Sequence, residues 1–212
     1  MAPPRTKPAG APGKSIVLAV TGASGAVFAR RALQMLEADA RVERIHLVIS
    51  GSGLKVLREE LGLDVRKSSD VPALLAGGRA PKTIYLLDSD VGASIASGSY
   101  PVDGMLVMPC TTGCLAQIAN GISSTLIERA ADVCLKEGRK LVLAIRDTPL
   151  SRVHLENMLR AQQAGAVIFP IVPSFYHHPK TLDDLVTQFC CRVLVHLGLE
   201  QPEQFRWNPR AD

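Results

Sequence analysis

The sequence predicts an α/β protein, a Rossmann-like doubly wound parallel sheet of about six strands with helices on both faces. Six short apolar runs alternate with longer helical segments, which is typical of this class. The runs are hydrophobic almost throughout, as central parallel strands covered on both faces should be. A length of 212 residues suits one sizeable core. The six runs are SIVLAV, RIHLVIS, KTIYLLD, GMLVMP, KLVLAI and AVIFPIV.

Helices are predicted between and after these strands. Ser151 and Thr181 precede the last two of them and are residue types that cap helix N-termini. Acidic residues follow within the first turns, where they favour the helix dipole. The predicted ranges are 26–38, 53–61, 124–137, 151–164 and 182–197.

Composition argues against several classes of function. The net charge is +4, but Arg5, Lys7 and Lys14 lie in a Pro/Gly/Ala-rich segment at the N-terminus. That segment cannot bury apolar surface, and without it the chain is nearly neutral. No basic run interleaved with aromatics indicates a nucleic-acid partner, and no apolar stretch is long enough to span a membrane. We therefore expect a cytoplasmic protein.

The five cysteines are interpreted as reduced thiols. They do not form paired CxxC motifs, and their number is odd. Cys190 and Cys191 are adjacent on a predicted helix and point to different faces, so they would not share a metal. Cys110 and Cys114 alone are a weak zinc signal, and we expect no metal site.

Loops at the carboxyl ends of the strands are the expected binding site, because ligands of doubly wound sheets lie there. Each of these loops is polar or rich in Gly and Pro, unlike the opposite ends of the strands. They are TGASGA, SGSG, PCTTGC, RDTP and PSFYHHP.

The first loop does not fit a dinucleotide. A dinucleotide fingerprint needs a third glycine and an acidic residue at the end of the second strand. This chain has Phe28 and Ser50 instead. A hydroxyl suits a phosphate or the ribityl oxygens, so FMN fits better than NAD. Thr111, Thr112 and Gly113 add hydroxyl and backbone donors after the fourth strand, although an ordinary Thr-Gly turn is an equal alternative for that loop alone.

Together these motifs resemble the UbiX-like flavin prenyltransferases, within the flavoproteins that include peptidyl-cysteine decarboxylases. The resemblance spans about residues 16–199. The motifs on which the resemblance rests are TGASGA, ASGS at 96–99, PCTTGCLAQIANG, LIERAADVCLKEGRKLVLAIRDTPL, HLENML and PSFYHHP. No single motif is specific for this family, but the motifs together are.

The resemblance implies metal-independent prenylation of reduced FMN by dimethylallyl phosphate, at flavin N5 and C6. The product would serve a separate UbiD-type decarboxylase. It also implies a homo-oligomer, often a dodecamer, with the flavin between subunits.

The resemblance also implies roles for individual residues. The flavin would be bound by Gly22, Ala23, Ser24, Ser50, Thr111, Thr112, Gly113, Cys114 and Arg146. Dimethylallyl phosphate would be bound by Arg129, Lys136, Tyr176 and Arg192, with Glu60 nearby. Arginine, lysine and tyrosine donors can neutralise the leaving phosphate without a metal. Arg129 and Lys136 are seven residues apart and should share one helix face, although a solvated helix surface is the alternative.

Closing the fourth ring requires removal of a flavin proton by a carboxylate or through a hydroxyl. Asp147, Glu60 and Ser24 are the catalytic candidates, while Asp147 could instead form a turn and Glu60 could be a surface residue. The chain departs from the family at two positions: Asp147 stands where glutamate is common, and Val91 where tryptophan is common. Trp207 could supply an aromatic contact in its place.

Three hypotheses follow: a flavin prenyltransferase, a flavin-dependent cysteine decarboxylase and a non-catalytic flavin-binding protein. For domain organisation we expect a disordered tail over 1–14, one flavin-binding domain over 15–199, and a C-terminal tail over 200–212 that could pack on a neighbouring subunit.

Overall fold

A computed structural model describes residues 13–206. It confirms the α/β class: the six strands form one parallel sheet in the order β3-β2-β1-β4-β5-β6. The strands are β1 Lys14–Val20, β2 Val42–Ile49, β3 Thr83–Leu87, β4 Gly104–Cys110, β5 Lys140–Ile145 and β6 Val167–Ile168. The helices are α1 Ala26–Ala38, α2 Gly51–Leu61, α3 Val71–Ala76, α4 Thr112–Ala119, α5 Leu126–Lys136, α6 Arg152–Gln163 and α7 Leu182–His196.

Helices cover both faces of the sheet. One apolar cluster packs α1, α3 and α7 on the face that includes Leu18 and Leu47. The other packs α4 and α5 on the face that includes Val17 and Val107. Because both faces of the central strands are buried, their sequences are apolar without alternation.

The chain reverses its winding direction between β1 and β4. From β1 it proceeds to β2 and β3 on one side, and from β4 to β5 and β6 on the other. The carboxyl ends of β1 and β4 therefore flank a crevice, which is where doubly wound sheets bind ligands.

Two helices and one strand differ from the sequence prediction. Helices α3 and α4 were not predicted, and Thr112–Ala119 continues the predicted PCTTGC loop as a helix. Its first two residues, Thr112 and Gly113, have low helix propensity, so the sequence gives little sign of this short helix. Strand β6 has only two residues, since Pro170 has no backbone N–H for the ladder.

Candidate active site

Thr21 joins the loops that follow β1 and β4. Its hydroxyl donates to the carbonyl oxygen of Pro109 at 2.8 Å and accepts from the backbone N–H of Thr111 at 2.9 Å. This buried side chain holds the two walls of the crevice together. Sequence reasoning missed Thr21, although a lone hydroxyl between an apolar strand and a glycine was an available signal.

The loop after β1 depends on two glycines. A side chain at Gly22 would lie 2.4 Å from the Ser52 hydroxyl, so glycine lets this loop approach the start of α2. Gly25 has φ +116°, a conformation that strongly favours glycine. Between them Ala23 is buried and Ser24 is exposed.

Glu60 occupies the N-terminus of α1. Its carboxylate accepts the backbone N–H of Ala26 at 2.7 Å and of Gly25 at 3.0 Å, and it accepts the hydroxyl of Ser24. Partial burial opposes ionisation, but these donors and the nearby Arg146 charge outweigh it and lower the pKa of Glu60. The anion bound at this helix end is therefore a carboxylate of the chain itself. Sequence reasoning placed Glu60 near the prenyl donor and gave no sign of this contact.

Ser50 and Thr111 begin helices α2 and α4. The Ser50 hydroxyl accepts the Gly53 N–H at 3.0 Å, and the Thr111 hydroxyl accepts the Cys114 N–H at 3.1 Å. Each cap satisfies one of the amides that a helix leaves free in its first turn. The other first-turn amides, including that of Gly113, lie at the carboxyl edge of the sheet.

Arg146 and Asp147 directly follow β5 at the same edge. The Asp147 carboxylate accepts the Thr112 hydroxyl at 3.1 Å through Oδ2 and the Thr148 N–H at 2.9 Å through Oδ1. Both Arg146 and Asp147 are exposed. The loops after β4 and β5 thus meet through one side-chain hydrogen bond.

Tyr176 and Arg192 lie on a different part of the chain. Together with Ser174 they line a pocket of about 600 Å³ between the loop after β6 and helix α7. Tyr176 is 70% exposed. These two predicted donor-binding residues are therefore brought together by the fold.

Arg129 and Lys136 share one face of α5, as predicted. Arg129 Nε donates to the carbonyl oxygen of Ala96 at 3.1 Å, and Lys136 Nζ lies 2.6 Å from where a side chain on Gly98 would begin. The segment 96–99 of the ASGS motif therefore packs along this face. Each cation also forms an ion pair with a nearby acidic residue. Arg129 pairs with Asp132 at 2.9 Å, and Lys136 pairs with Glu137 at 2.5 Å.

Val91 lies in the turn after β3 and is 51% exposed. The same turn begins at Asp88, which accepts backbone N–H groups of Leu126 and Ile127 at the start of α5. These hydrogen bonds join the turn that carries Val91 to the helix that carries Arg129. Trp207 lies outside the described residues.

The thiols are buried. All five cysteines are free, and burial raises the pKa of Cys134 to about 12 and of Cys191 to about 11. Among residues 13–206 no cluster of His, Cys, Asp and Glu could hold a metal ion. Within the same range no helix has the length and apolarity to cross a bilayer.

Comparison with known proteins identifies the family. The flavoprotein family model matches residues 5–191. The flavin prenyltransferase UbiX of Halalkalibacterium halodurans is 44% identical over 195 residues, covering 91% of this chain and 93% of that protein. The chain belongs to the UbiX-like flavin prenyltransferase family. The mitochondrial flavin prenyltransferase PAD1 of Saccharomyces cerevisiae is 46% identical, covering 92% of this chain and 76% of that protein.

Solved structures of UbiX-like proteins have the same fold. AnUbiX (PadA1), determined with FMN and dimethylallyl pyrophosphate, matches with a TM-score of 0.82 at 39% identity, covering 93% of this chain and 99% of that one. A dodecameric FMN-dependent UbiX-like decarboxylase from Escherichia coli O157:H7 matches with a TM-score of 0.80 at 40% identity. The match covers 92% of this chain and 100% of that one. The FMN-dependent cysteine decarboxylase TvaF shares only the fold, at 13% identity and a TM-score of 0.58.

Proposed function

We propose that this chain is a flavin prenyltransferase that joins a dimethylallyl group from dimethylallyl phosphate to N5 and C6 of reduced FMN. The observation that carries the proposal is the group of hydroxyls, helix N-terminal amides and one guanidinium in the loops that follow β1, β2, β4 and β5, on both sides of the β1/β4 reversal. Its occurrence in a member of the UbiX-like family supports FMN as the occupant. The reaction forms a fourth ring on the flavin and releases phosphate.

FMN fits the chemistry of the crevice. A phosphate suits the first-turn amides of α2 and α4 together with the hydroxyls around them. Gly22, Ala23 and Ser24 lie in the loop after β1, and Ser50 lies between β2 and α2. Residues 111–114 follow β4, and Arg146 follows β5. We propose that these residues hold the flavin and present its reacting edge.

The prenyl donor requires cationic and hydroxyl donors at its phosphate. An allylic phosphate leaves readily only when its developing charge is neutralised. Tyr176 and Arg192 share one pocket and supply a phenol and a guanidinium for this purpose. Arg129 and Lys136 supply two more cations along α5. We propose that all four bind the donor phosphate.

Asp147 is the better of the two acidic candidates for the proton at C6. The Glu60 carboxylate is committed to two backbone amides and to the Ser24 hydroxyl, and its lowered pKa makes it a weak base. Asp147 is exposed and accepts one donor on each oxygen, which leaves lone pairs for a further proton. We propose that Asp147 accepts the proton, while Glu60 positions Ser24.

The arrangement of the donor-binding residues favours an oligomeric site. Tyr176 and Arg192 lie between the β6 loop and α7, whereas Arg129 and Lys136 lie along α5 against the ASGS segment. We propose that one copy provides the first pair and a neighbouring copy the second. A dodecamer is the assembly of one structural relative and is proposed for this chain as well. A UbiD-type recipient and a cytoplasmic location stay predictions of the sequence.

The test is an anaerobic incubation of the purified protein with reduced FMN and dimethylallyl phosphate. The flavin is then analysed by mass spectrometry and absorption. We expect a mass gain of one prenyl unit that depends on both the donor and the protein. Parallel incubations with dimethylallyl pyrophosphate identify the preferred donor.

Tight FMN binding with unchanged flavin mass would contradict the proposal and favour the non-catalytic flavin-binding protein. Loss of CO₂ from a peptide with a C-terminal cysteine, without prenyl transfer, would favour the cysteine decarboxylase. The low identity to TvaF gives that activity no support beyond the shared fold.

A further inference from the structure

The hydrogen bond between Thr112 and Asp147 links the start of α4 to the loop after β5. Thr112 is the first residue of α4, so its backbone is set by the helix and by the Thr111 cap that precedes it. Asp147 lies on an exposed loop. Of the two residues, Thr112 is the one that a regular element holds in place.

A threonine hydroxyl has one hydrogen and can donate only once. The Thr112 hydroxyl donates that hydrogen to Asp147 Oδ2 at 3.1 Å. It therefore cannot also donate to the flavin or its phosphate, which is the role that the family resemblance implied for it. Its backbone N–H, in the first turn of α4, remains at the crevice.

The two contacts of Asp147 together fix the rotation of its carboxylate. Thr148 N–H binds Oδ1 from the neighbouring residue, and the Thr112 hydroxyl binds Oδ2 from the start of α4. The first contact is local and moves with the loop. Only the contact to Thr112 ties the carboxylate to the sheet and helices that form the crevice.

We propose that the Thr112 side chain is a positioning residue that orients the Asp147 carboxylate toward the proton it removes. The inference rests on the proposed prenyl transfer and deepens it. Asp147 accepts the proton of the flavin ring carbon, whose C–H electron pair returns to the ring as aromaticity at that carbon is restored. Thr112 makes no bond in this step and acts through the direction of Asp147 Oδ2.

The test compares Thr112→Val, which keeps the shape and removes the hydroxyl, with Thr112→Ser, which keeps the hydroxyl. Thr83→Val is the matched control, since the Thr83 hydroxyl also donates to a carboxylate, that of Glu37, at the start of β3. The maximal rate of prenyl transfer, KM for dimethylallyl phosphate and Kd for FMN, measured by fluorescence titration, are determined for each.

We expect Thr112→Val to lower the maximal rate about 10-fold to 100-fold, because a small displacement of a proton acceptor has a large effect on rate. KM and the FMN Kd should stay within about 2-fold, as for a residue that acts only in the chemical step. Thr112→Ser should restore the rate, and Thr83→Val should leave it unchanged. In an Asp147→Asn background, Thr112→Val should cause no further loss, because the two residues act as a unit.

Four results would overturn the inference. A rise in the FMN Kd with an unchanged maximal rate would make Thr112 a flavin ligand. Equal losses with and without Asp147 would separate the two residues, and failure of Thr112→Ser to recover would point to packing. If wild-type protein prenylates FMN and Thr112→Val does so equally fast, this inference alone is wrong. If wild-type protein leaves the flavin unchanged, the proposed function is wrong with it.

Discussion

Glu60 and Asp147 are carboxylates at the same edge of the sheet with different surroundings. Glu60 accepts two backbone amides at the N-terminus of α1, whereas Asp147 accepts one hydroxyl and one amide on an exposed loop. The sequence presented both as equal candidates for the same proton. Their hydrogen-bond partners, which come from residues 34 and 35 positions away, distinguish a carboxylate that binds a helix N-terminus from the one that we propose as the base.

Replacing Glu60 with glutamine tests its structural role. Glu60→Gln removes the charge at the helix N-terminus and should lower the free energy of unfolding at pH 7 by about 1 kcal/mol, the usual effect of losing a helix cap. Because folding lowers the pKa of Glu60, its contribution is complete above the ordinary value of 4.5. It is lost as the pH falls through the folded pKa.

Urea unfolding at pH 7 and at pH 3.5, at one protein concentration, measures both effects. The difference between wild type and Glu60→Gln should shrink at the lower pH. Glu59→Gln, an exposed neighbour on the same helix, is the control and should change little. A Glu60→Gln difference of equal size at both pH values would mean that the ionised carboxylate does not stabilise α1.

At the scale of elements, most helices follow from local sequence. Helix α1 has its predicted bounds, and Ser151 and Thr181 cap α6 and α7 as predicted. Helix α4 was missed, because eight residues that begin Thr-Gly have little propensity of their own. Its stability comes from Leu115 and Ile118, which are buried against the sheet, and burial is decided by tertiary packing.

Gly25 is the position where α1 depends on backbone conformation. At φ +116° an alanine is strained, and its Cβ would lie 3.3 Å from the Phe28 ring. We expect Gly25→Ala to lower the free energy of unfolding by about 1 to 2 kcal/mol. Thermal or urea unfolding measures the change. Gly51→Ala is the control, because Gly51 has ordinary φ and open space, and an unchanged stability of Gly25→Ala would contradict the argument.

At the scale of the whole molecule, the two pairs of residues that we propose as donor-binding lie on different elements. If one copy supplies Arg129 and a neighbour supplies Arg192, each single variant to alanine should be inactive alone. Oligomers assembled from an equal mixture of the two variants should then contain intact sites, roughly a quarter of the total for random assembly. Prenyl transfer by the coexpressed mixture measures this. If oligomers shown to contain both variants recover no prenyl transfer, the site is not shared between copies.

The sequence by itself determined the sheet, its winding and the loops at its carboxyl edge, because continuous apolar strands and capped helices are local patterns. Its motifs also identified the family. The tertiary structure alone decided which partner each polar group has. In the fold, Glu60 binds the N-terminus of α1, Thr112 binds Asp147, and Thr21 binds the loop after β4. The fold also places Arg129 and Lys136 on α5, apart from the pocket that Tyr176 and Arg192 line. These pairings join residues from 34 to 90 positions apart, and no local pattern encodes a contact across that distance.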